Sequence, residues 1–342
     1  MRNSMVTMQD VARRAGVTKQ TVSNVVTGRV AVRPATAARV RAAIDELGYV
    51  PNLVARSLAT GSTRTVGLFV PTVGTAFYAD LVEEAEDALD EHGHHLLLCT
   101  TRQSGERARR HLAGMTSRSV DALLIAGDQD LSDHLPLLSE ARFPVALCAW
   151  EADAPEQFPM VTVDYEEGGH LAGRHLRELG HGNVAILASP AHTRRVAGFR
   201  RAFAETGRAL PGGAVHIAHE PSYHGGFEAA RAALAAAPGV TALFATHDVL
   251  AVGALEAARV AGRSVPDDLS VVAYDDSPAG PSSRPALTSV VLPRRQMARQ
   301  AVTLLLDAAG GGEPTPRHRL LPPELVVRNS TGPARPGHAV PR

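Results

Sequence analysis

Apolar runs of strand length alternate with amphipathic helical stretches from residue 65 onward. The strands are predicted at residues 66–70, 96–99, 122–125, 145–148, 184–187, 242–245 and 271–274. Predicted helices lie between them, at residues 79–92, 166–179, 225–236 and 250–260. Buried strands alternating with helices are typical of parallel sheets that are covered on both faces. The pattern therefore predicts an α/β body, long enough for two doubly wound lobes.

A different pattern occupies residues 5–50, where three short helices are predicted. Apolar side chains recur at helical spacing over residues 8–15, and Gly16 ends that pattern. Thr18 can cap a second helix, and Pro34 at a first-turn position opens a third. Two short helices joined at a glycine match the helix-turn-helix arrangement, whose second helix lies in the major groove of DNA.

The polar face of the second helix suits DNA. If Val22, Val25 and Val26 face the core, helical spacing turns outward Lys19, Gln20, Ser23 and Asn24. These side chains are donors and acceptors for base edges and phosphates. Residues 1–64 hold ten basic and three acidic side chains, a charge of +7 that the acidic remainder cancels. A basic head indicates a polyanion partner, although a helical protein-docking module is the alternative.

The composition argues against several classes of enzyme. Lys19 is the only lysine, so the body can hold neither a Walker A phosphate loop nor a Schiff-base lysine. There is also no G-x-S-x-G elbow and no C-x-x-C pair. Cys99 and Cys148 lie in apolar runs and are interpreted as buried free thiols rather than as a disulfide or a metal pair. No catalytic activity, cofactor or metal site is expected.

The segments outside these folded units are short. Residues 52–64 have too few apolar side chains for a core and are interpreted as a linker. The tail at residues 331–342 is rich in Pro and Gly and is predicted to be disordered. The first ten residues lack an apolar leader core, and no run of about 18 uncharged apolar residues could span a bilayer. A cytoplasmic protein that does not associate with membranes is therefore expected.

Several stretches of the head and of the body match a known protein family. In the head the resemblance is carried by VTMQDVARRAGVTKQTVSNVV at residues 6–26, GYVPN at 48–52 and VARSL at 54–58. In the body the matching stretches are FYADLV at residues 77–82, ELGH at 178–181, RVAGFR at 195–200 and VPDDLSVV at 265–272. With these stretches the chain resembles the lactose-repressor (LacI/GalR) family of transcription regulators. The resemblance implies a helix-turn-helix head followed by a two-lobed effector domain that is similar to periplasmic sugar-binding proteins.

In the head, the resemblance implies particular contacts with DNA. Lys19 and Gln20 match the pair that reads bases, and Asn24, where many relatives have Arg, matches a third contact. The positions that would touch backbone oxygens are Thr18, Thr21 and Ser23.

The linker is expected to form a short helix on DNA. Asn52 can cap a helix that runs to Ala59, and so short a helix is marginal alone in water. The resemblance implies that two such helices pair across a dimer axis and that Leu58 enters the minor groove. An apolar wedge of this kind unstacks a base step and bends the duplex. A flexible tether with an incidental leucine is the alternative.

In the body, the resemblance implies that Arg195, Asp248 and Asp275 hydrogen-bond a small-molecule effector, on which Phe77 and Tyr223 pack. Both aspartates follow apolar runs, and doubly wound sheets bind ligands beyond the carboxyl ends of their strands. Asp248 could equally cap the next helix. An arginine and two carboxylates among aromatic faces suit a sugar or sugar derivative.

Two residues near this predicted effector site complicate its assignment to a sugar. His247 occupies a position where relatives usually have Asn, so the hydrogen bonding of the ligand can differ. Trp150 follows a predicted strand near the cleft and either lines the pocket or packs between the lobes.

The predicted organisation has four parts. They are a DNA-binding head at residues 5–51, a hinge helix and linker at 52–64, an effector-binding and dimerisation domain at 65–330 and the tail. Lobe 1 is expected at about residues 65–163 plus 293–320, and lobe 2 at about 164–292 plus 321–330.

The functional hypothesis is a homodimeric regulator that binds a two-fold symmetric operator in double-stranded DNA, with a tetramer as the alternative assembly. Repression is expected, with activation as the alternative, under allosteric control by the effector. The competing hypothesis is a solute-binding protein or sugar-processing enzyme with a helical docking module.

Overall fold

The head is a three-helix unit in the computed structural model, which describes residues 6–28, 30–50, 57, 61–102, 104–115, 119–127, 138–139, 143–312 and 316–335. Its helices are α1 (Met8–Ala15), α2 (Lys19–Thr27) and α3 (Pro34–Leu47). The Thr7 side chain caps α1, and Gly16 ends it in the left-handed conformation at φ 64°. Val11, Val22 and Val40 are fully buried in the small core between the helices. The predicted helix-turn-helix fold is confirmed.

Lobe 1 is built on a six-stranded parallel sheet. Its strands are β1 (Thr65–Val70), β2 (His95–Thr100), β3 (Ala122–Ala126), β4 (Val145–Cys148), β5 (Met160–Val163) and β11 (His318–Leu321), in the spatial order β11-β5-β4-β3-β1-β2. The helices of this lobe are α4 (Ala76–Glu91), α5 (Gly105–Met115) and α11 (Arg294–Ala309). The central strands β3 and β4 are buried along their whole length, as expected for a sheet covered on both faces.

Lobe 2 repeats this architecture. Its strands are β6 (Val184–Ala188), β7 (Val215–Ile217), β8 (Ala242–Ala245), β9 (Ser270–Asp275), β10 (Thr288–Val291) and β12 (Glu324–Val326), in the order β12-β10-β9-β8-β6-β7. Only β12 runs antiparallel to its neighbour. The helices are α6 (Tyr165–Glu178), α7 (Thr193–Ala204), α8 (Tyr223–Ala236), α9 (Asp248–Val260) and the short α10 (Ala279–Ser282), and a 3-10 turn spans Gly212–Ala214. The two sheets confirm the predicted α/β class.

The chain passes between the lobes three times, after β5, after β10 and after β11. Three parallel connections leave a cleft between the lobes, at the edge where the sheet strands end. The candidate ligand residues lie at this edge.

Two glycines allow α6 and α7 to pack closely. A Cβ atom at Gly198 would lie 1.7 Å from the Glu166 carbonyl oxygen, and one at Gly169 would lie 2.0 Å from the Arg195 carbonyl oxygen. Such distances are far below van der Waals contact, so any side chain would force the helices apart. The glycines therefore fix the position of the first turn of α7, which carries Arg195.

The chain beyond β12 remains bonded to lobe 2 over residues 331–335. The Ala334 amide donates to the Leu179 carbonyl at 2.8 Å, and the Gly332 amide donates to the Ser270 hydroxyl at 3.0 Å. The structure thus differs here from the disorder predicted from residue 331. Pro and Gly composition gives no apolar signal, but lobe 2 offers polar partners for this backbone. Residues 336–342 lie outside the described residues.

Both cysteines are free thiols, as interpreted from the sequence, but they differ in exposure. Cys148 is fully buried, and burial raises the pKa of its thiol to about 12. Cys99 is only half-buried. Trp150 is buried in the core of lobe 1 with Phe69 and Leu123, so it packs within that lobe rather than between the lobes. Among the helices in the described ranges, none is long and apolar enough to cross a membrane.

Candidate ligand cleft and DNA-binding surface

A cavity of about 270 Å³ lies between the lobes. Lobe 1 contributes the side chains of Phe77, Tyr78 and Glu151 to its wall, and lobe 2 contributes those of Tyr165, His192, Arg195, His247, Asp248 and Asp275. Glu151, His192 and His247 each follow the end of a strand, and Asp275 is the last residue of β9. The cavity therefore collects charged side chains at the carboxyl ends of both sheets.

Arg195 is the central cation of the cleft. Its Nε atom donates to Glu151 of lobe 1 at 2.9 Å, and its Nη1 atom donates to the Thr246 carbonyl at 2.7 Å and to Asp275 at 3.1 Å. The guanidinium carbon lies 4.9 Å and 4.3 Å from the ring centroids of Tyr165 and Tyr274. Burial opposes the charge, but the two carboxylates outweigh it and raise the pKa of Arg195. The pair with Glu151 ties lobe 2 to lobe 1.

Asp275 connects this cation to a histidine. One carboxylate oxygen accepts from Arg195, and the other accepts a bond of 2.7 Å from Nδ1 of His247. The His247 ring packs edge-on against the His192 ring, with centroids 4.3 Å apart. Burial, followed by the charge of Arg195, holds the pKa of His192 well below its usual value. His192 is therefore a neutral imidazole that fixes the position of His247 by packing.

Asp248 lines the cavity and is almost fully buried. One of its oxygens accepts from the Ser289 hydroxyl at 2.8 Å, and the other accepts from the Ser277 amide at 2.5 Å. Burial, and then the charge of Asp275, raise the pKa of Asp248 to about 7. Its side chain makes no cap for α9, whose capping position is His247, so the capping alternative is not realised.

The backbone turns sharply directly after the cleft. Asp275 and Asp276 both have positive φ, at 106° and 50°, a conformation that is strained for residues other than glycine. The Asp276 carboxylate makes a two-pronged ion pair with Arg328 at 2.6 and 3.0 Å. The Asp276 carbonyl accepts from Arg294 of lobe 1, which is also bonded to Asp80 on α4. Asp275 is thus adjacent to a residue that bonds both to Arg294, at the start of α11 in lobe 1, and to Arg328 of lobe 2.

The structure brings together four of the five predicted effector residues. Phe77, Arg195, Asp248 and Asp275 all line the cleft. Tyr223, which was expected to pack on the effector with them, does not line this cavity. It is the first residue of α8, directly after the capping Ser222, and its half-exposed side chain faces a separate groove.

Sequence reasoning missed three residues that shape the cleft, which are Glu151, Tyr165 and His192. Glu151 follows β4 by three residues, so the rule that ligands bind beyond strand ends could have found it. No sequence signal pairs it with Arg195, 44 positions away. Tyr165 and His192 begin or precede helices and carry no distinctive spacing.

The DNA-facing candidates lie together on α2. Thr18, Lys19 and Gln20 are exposed at the start of this helix, while Thr21, Ser23 and Asn24 are half-buried. The Thr18 hydroxyl accepts from the Thr21 amide and caps the helix, as predicted. Nε2 of Gln20 donates to Oδ1 of Asn24 at 3.1 Å, so these two side chains are ordered as a pair. Asn52 and Leu58, which are predicted to form the hinge contacts, lie outside the described residues.

Metal binding finds no support in the described part of the chain. No group of three or more His, Cys, Asp or Glu side chains there has a geometry that could hold an ion.

The architecture defines a DNA-binding protein that carries a two-lobed ligand clamp. Residues 7–52 match the bacterial regulatory proteins of the lacI family, and residues 173–331 match the periplasmic binding protein-like domain. The chain is 34% identical over 306 residues to catabolite control protein A of Priestia megaterium, which covers 88% of this chain and 91% of that protein. The chain therefore belongs to the LacI family of bacterial transcription regulators.

Solved structures agree with this assignment. The complex of the transcriptional regulator CelR with cellobiose is 34% identical, with a TM-score of 0.72 over 95% of this chain and 99% of that one. The lac repressor dimer bound to operator and the anti-inducer ONPF is 28% identical, with a TM-score of 0.83 over 96% of this chain and 99% of that one. Because the relatives are regulators, the prediction that the protein is not an enzyme is confirmed.

Proposed function

We propose that the protein binds a two-fold symmetric operator as a homodimer, represses transcription there and changes its DNA affinity when a sugar-like effector enters the cleft. The observation that carries this proposal is the row of polar side chains at the start of α2, held over a capped and well-packed head. DNA as the target implies a cytoplasmic location.

The roles of the α2 side chains follow from their chemistry. Gln20 can make paired hydrogen bonds to one base edge, and Lys19 can donate to a guanine or a phosphate. Asn24, which is bonded to Gln20, would orient that side chain and make a DNA contact of its own. Thr18, Thr21 and Ser23 offer hydroxyl groups to phosphate oxygens, which fix the register of the helix. Asn52 and Leu58 would add the hinge helix and its minor-groove wedge.

The effector would act by changing how the lobes close. Arg195 of lobe 2 is bonded to Glu151 of lobe 1 across the cleft, so a ligand that competes for either group alters the link between the lobes. By linkage, the free energy with which ligand changes DNA affinity equals that with which DNA changes ligand affinity. The aromatic faces of Phe77 and Tyr165 beside polar groups suit a sugar ring, and CelR was solved with cellobiose.

The dimer would form through two apolar faces of the body. The edge strand β2 leaves its backbone unpaired on one side and exposes Leu97 and Leu98. On lobe 2, Tyr223 and Val260 are also exposed. An edge strand with exposed apolar side chains favours pairing with another chain, and a second copy is the occupant proposed here because the lac repressor was solved as a dimer. Sedimentation should show a dimer that Leu98→Glu weakens, whereas a wild-type monomer would contradict the assembly.

The DNA-binding role is tested on sequences selected by the full-length protein from a random pool. Lys19→Ala and Gln20→Ala should each lower the preference for the selected site over random DNA, by about 1–3 kcal/mol for a lost base contact. Gln9→Ala on α1 is a matched control because Gln9 is also an exposed helical side chain. If both α2 variants keep full selectivity, or if wild type shows none at moderate salt, the proposal is wrong.

The effector role is tested separately. A thermal-shift screen of sugars and sugar derivatives should find a compound that raises the unfolding temperature, since a ligand of the folded state stabilises it. Asp275→Ala should abolish the effect of that compound on DNA affinity while the variant remains folded. A variant that still responds fully would remove Asp275 from the site.

A further inference from the structure

The cleft contains more buried negative charge than positive charge. Glu151, Asp248 and Asp275 all line it, and each is at most 6% exposed. Arg195, at 5% exposure, is the only guanidinium or ammonium group that lines the cavity among the described residues. Two buried carboxylates, Glu151 and Asp275, thus face one permanent cation, and Asp248, whose pKa is raised to about 7, adds further negative charge where it ionises.

The single cation is already neutralised by the protein. Arg195 gives its Nε and Nη1 hydrogens to Glu151, Asp275 and the Thr246 carbonyl, and the rings of Tyr165 and Tyr274 pack against its guanidinium. Nη2 is the nitrogen that these bonds leave for a ligand. One nitrogen can donate to a hydroxyl or a carbonyl, but it cannot offer the two-pronged grip with which arginine usually holds a phosphate or a carboxylate.

The two histidines that line the cavity, His192 and His247, do not reverse this excess of negative charge. The pKa of His192 is held well below its usual value by burial and by Arg195, so this imidazole is neutral. His247 shares its Nδ1 hydrogen bond with Asp275. Even a charged His247 would, together with Arg195, only balance Glu151 and Asp275.

Other arginines around the cleft are engaged outside it. Arg194 pairs with Asp153, Arg294 with Asp80 and Arg328 with Asp276. None of these three arginines lines the cavity. The acceptors of the site, by contrast, remain well suited to donor groups, because carboxylate oxygens accept hydrogen bonds from hydroxyl and ammonium groups.

We propose that the effector carries no negative charge and is a polyhydroxylated compound that is either uncharged or bears a protonated amine. This inference rests on the proposed effector role of the cleft and narrows the ligand class. A phosphate or carboxylate group would be placed, poorly solvated, beside two or three carboxylates with no free cation, and like charges at such distances repel strongly in a low dielectric. Phosphorylated sugars and sugar acids are therefore excluded.

The charge of the cleft can be measured without knowing the ligand. Ala279 lines the cavity and is exposed, so Ala279→Cys places a thiol at its wall in the full-length chain. The background is Cys99→Ser, since Cys148 is fully buried. The thiol is reacted at low salt with the cationic aminoethyl and the anionic sulfonatoethyl methanethiosulfonate. The ratio of the cationic to the anionic rate reports the local potential.

The matched control is Ala236→Cys in the same background, an exposed alanine at the end of α8 that does not line the cavity. The ratio of cationic to anionic rates for the Ala279→Cys thiol should exceed the ratio for the control thiol by at least about tenfold at low ionic strength. Adding Glu151→Gln should reduce this excess. An equal or lower ratio in the cleft would overturn the proposal.

A second experiment measures how far a bound ligand slows the reaction of the Ala279→Cys thiol with these reagents. Glucose, cellobiose and glucosamine are compared with glucose 6-phosphate and glucuronate at equal concentrations. The proposal is overturned if glucose 6-phosphate or glucuronate protects the thiol better than the uncharged and amine-bearing sugars do. This holds whatever the ratio of the reaction rates. Neither arm involves DNA, so a loss of sequence-selective binding would refute the proposed function and leave this measurement intact.

Discussion

The head and the cleft use their polar residues in opposite ways. On α2, Lys19 and Gln20 are exposed and contribute nothing to the small core beneath them. In the cleft, Arg195 and Asp275 are buried, and their bonds to each other are part of the fold. Function and stability are therefore separable in the head, whereas in the cleft the same hydrogen bonds serve both.

The largest effect is expected from breaking the buried cluster. Arg195→Met should lower the free energy of unfolding by about 3–5 kcal/mol, because it leaves Glu151 and Asp275 buried without their cation. Arg201→Met on the same helix is the control, since Arg201 is 42% exposed and pairs with surface glutamates. That variant should lose no more than about 1 kcal/mol. Urea unfolding measures both, and equal losses would contradict the comparison.

The next effect depends on pH and concerns Asp248. Its pKa is raised from 3.8 to about 7 by burial and by Asp275, so the folded state disfavours its charged form. The stability that Asp248 contributes is therefore complete below pH 3.8 and is lost as the pH rises to about 7. Compared with Asp248→Asn, wild type should lose a few kcal/mol over that range, at roughly 1.4 kcal/mol per pH unit. If the difference in unfolding free energy between wild type and Asp248→Asn does not change with pH, Asp248 is charged in the folded protein and the prediction is wrong.

A smaller effect, confined to DNA binding, is expected in the head. Asn24→Ala should lower discrimination between selected and random DNA by about 1–2 kcal/mol, since it removes a polar contact and the partner of Gln20. The free energy of unfolding should change by less than about 0.5 kcal/mol, as for most surface substitutions. Combined with Gln20→Ala, the two losses should be less than additive. A loss of stability as large as that in the cleft would remove the distinction between the two regions.

Much of the fold was predictable because its signals are local. The strands at residues 145–148 and 242–245 have the bounds predicted from their apolar runs. Helix α1 likewise begins and ends where the pattern and Gly16 require. The aspartates of the cleft were found by the strand-end rule, which needs only the order of elements.

The rest of the site depends on contacts that no local pattern encodes. Glu151 meets Arg195 only because the lobes face each other across the cleft. The family resemblance assigned Tyr223 to the cleft, but its position at the start of α8 directs its side chain to a separate groove. The residues after β12 are ordered by hydrogen bonds to lobe 2 despite their composition. Each case requires the tertiary structure.

The smallest effect tests whether the head is stabilised independently of the cleft. The Thr7 hydroxyl accepts from the Asp10 amide and caps α1, so Thr7→Ala should cost about 1 kcal/mol in the head. Thr27→Ala is the control, because that hydroxyl bonds only to a carbonyl one turn back in α2. Hydrogen exchange should show faster opening of α1, with strands β8 and β9 unchanged. If those strands open faster as well, the head and the clamp unfold as one unit, and stability in the head is no longer separate from the bonds that hold the cleft.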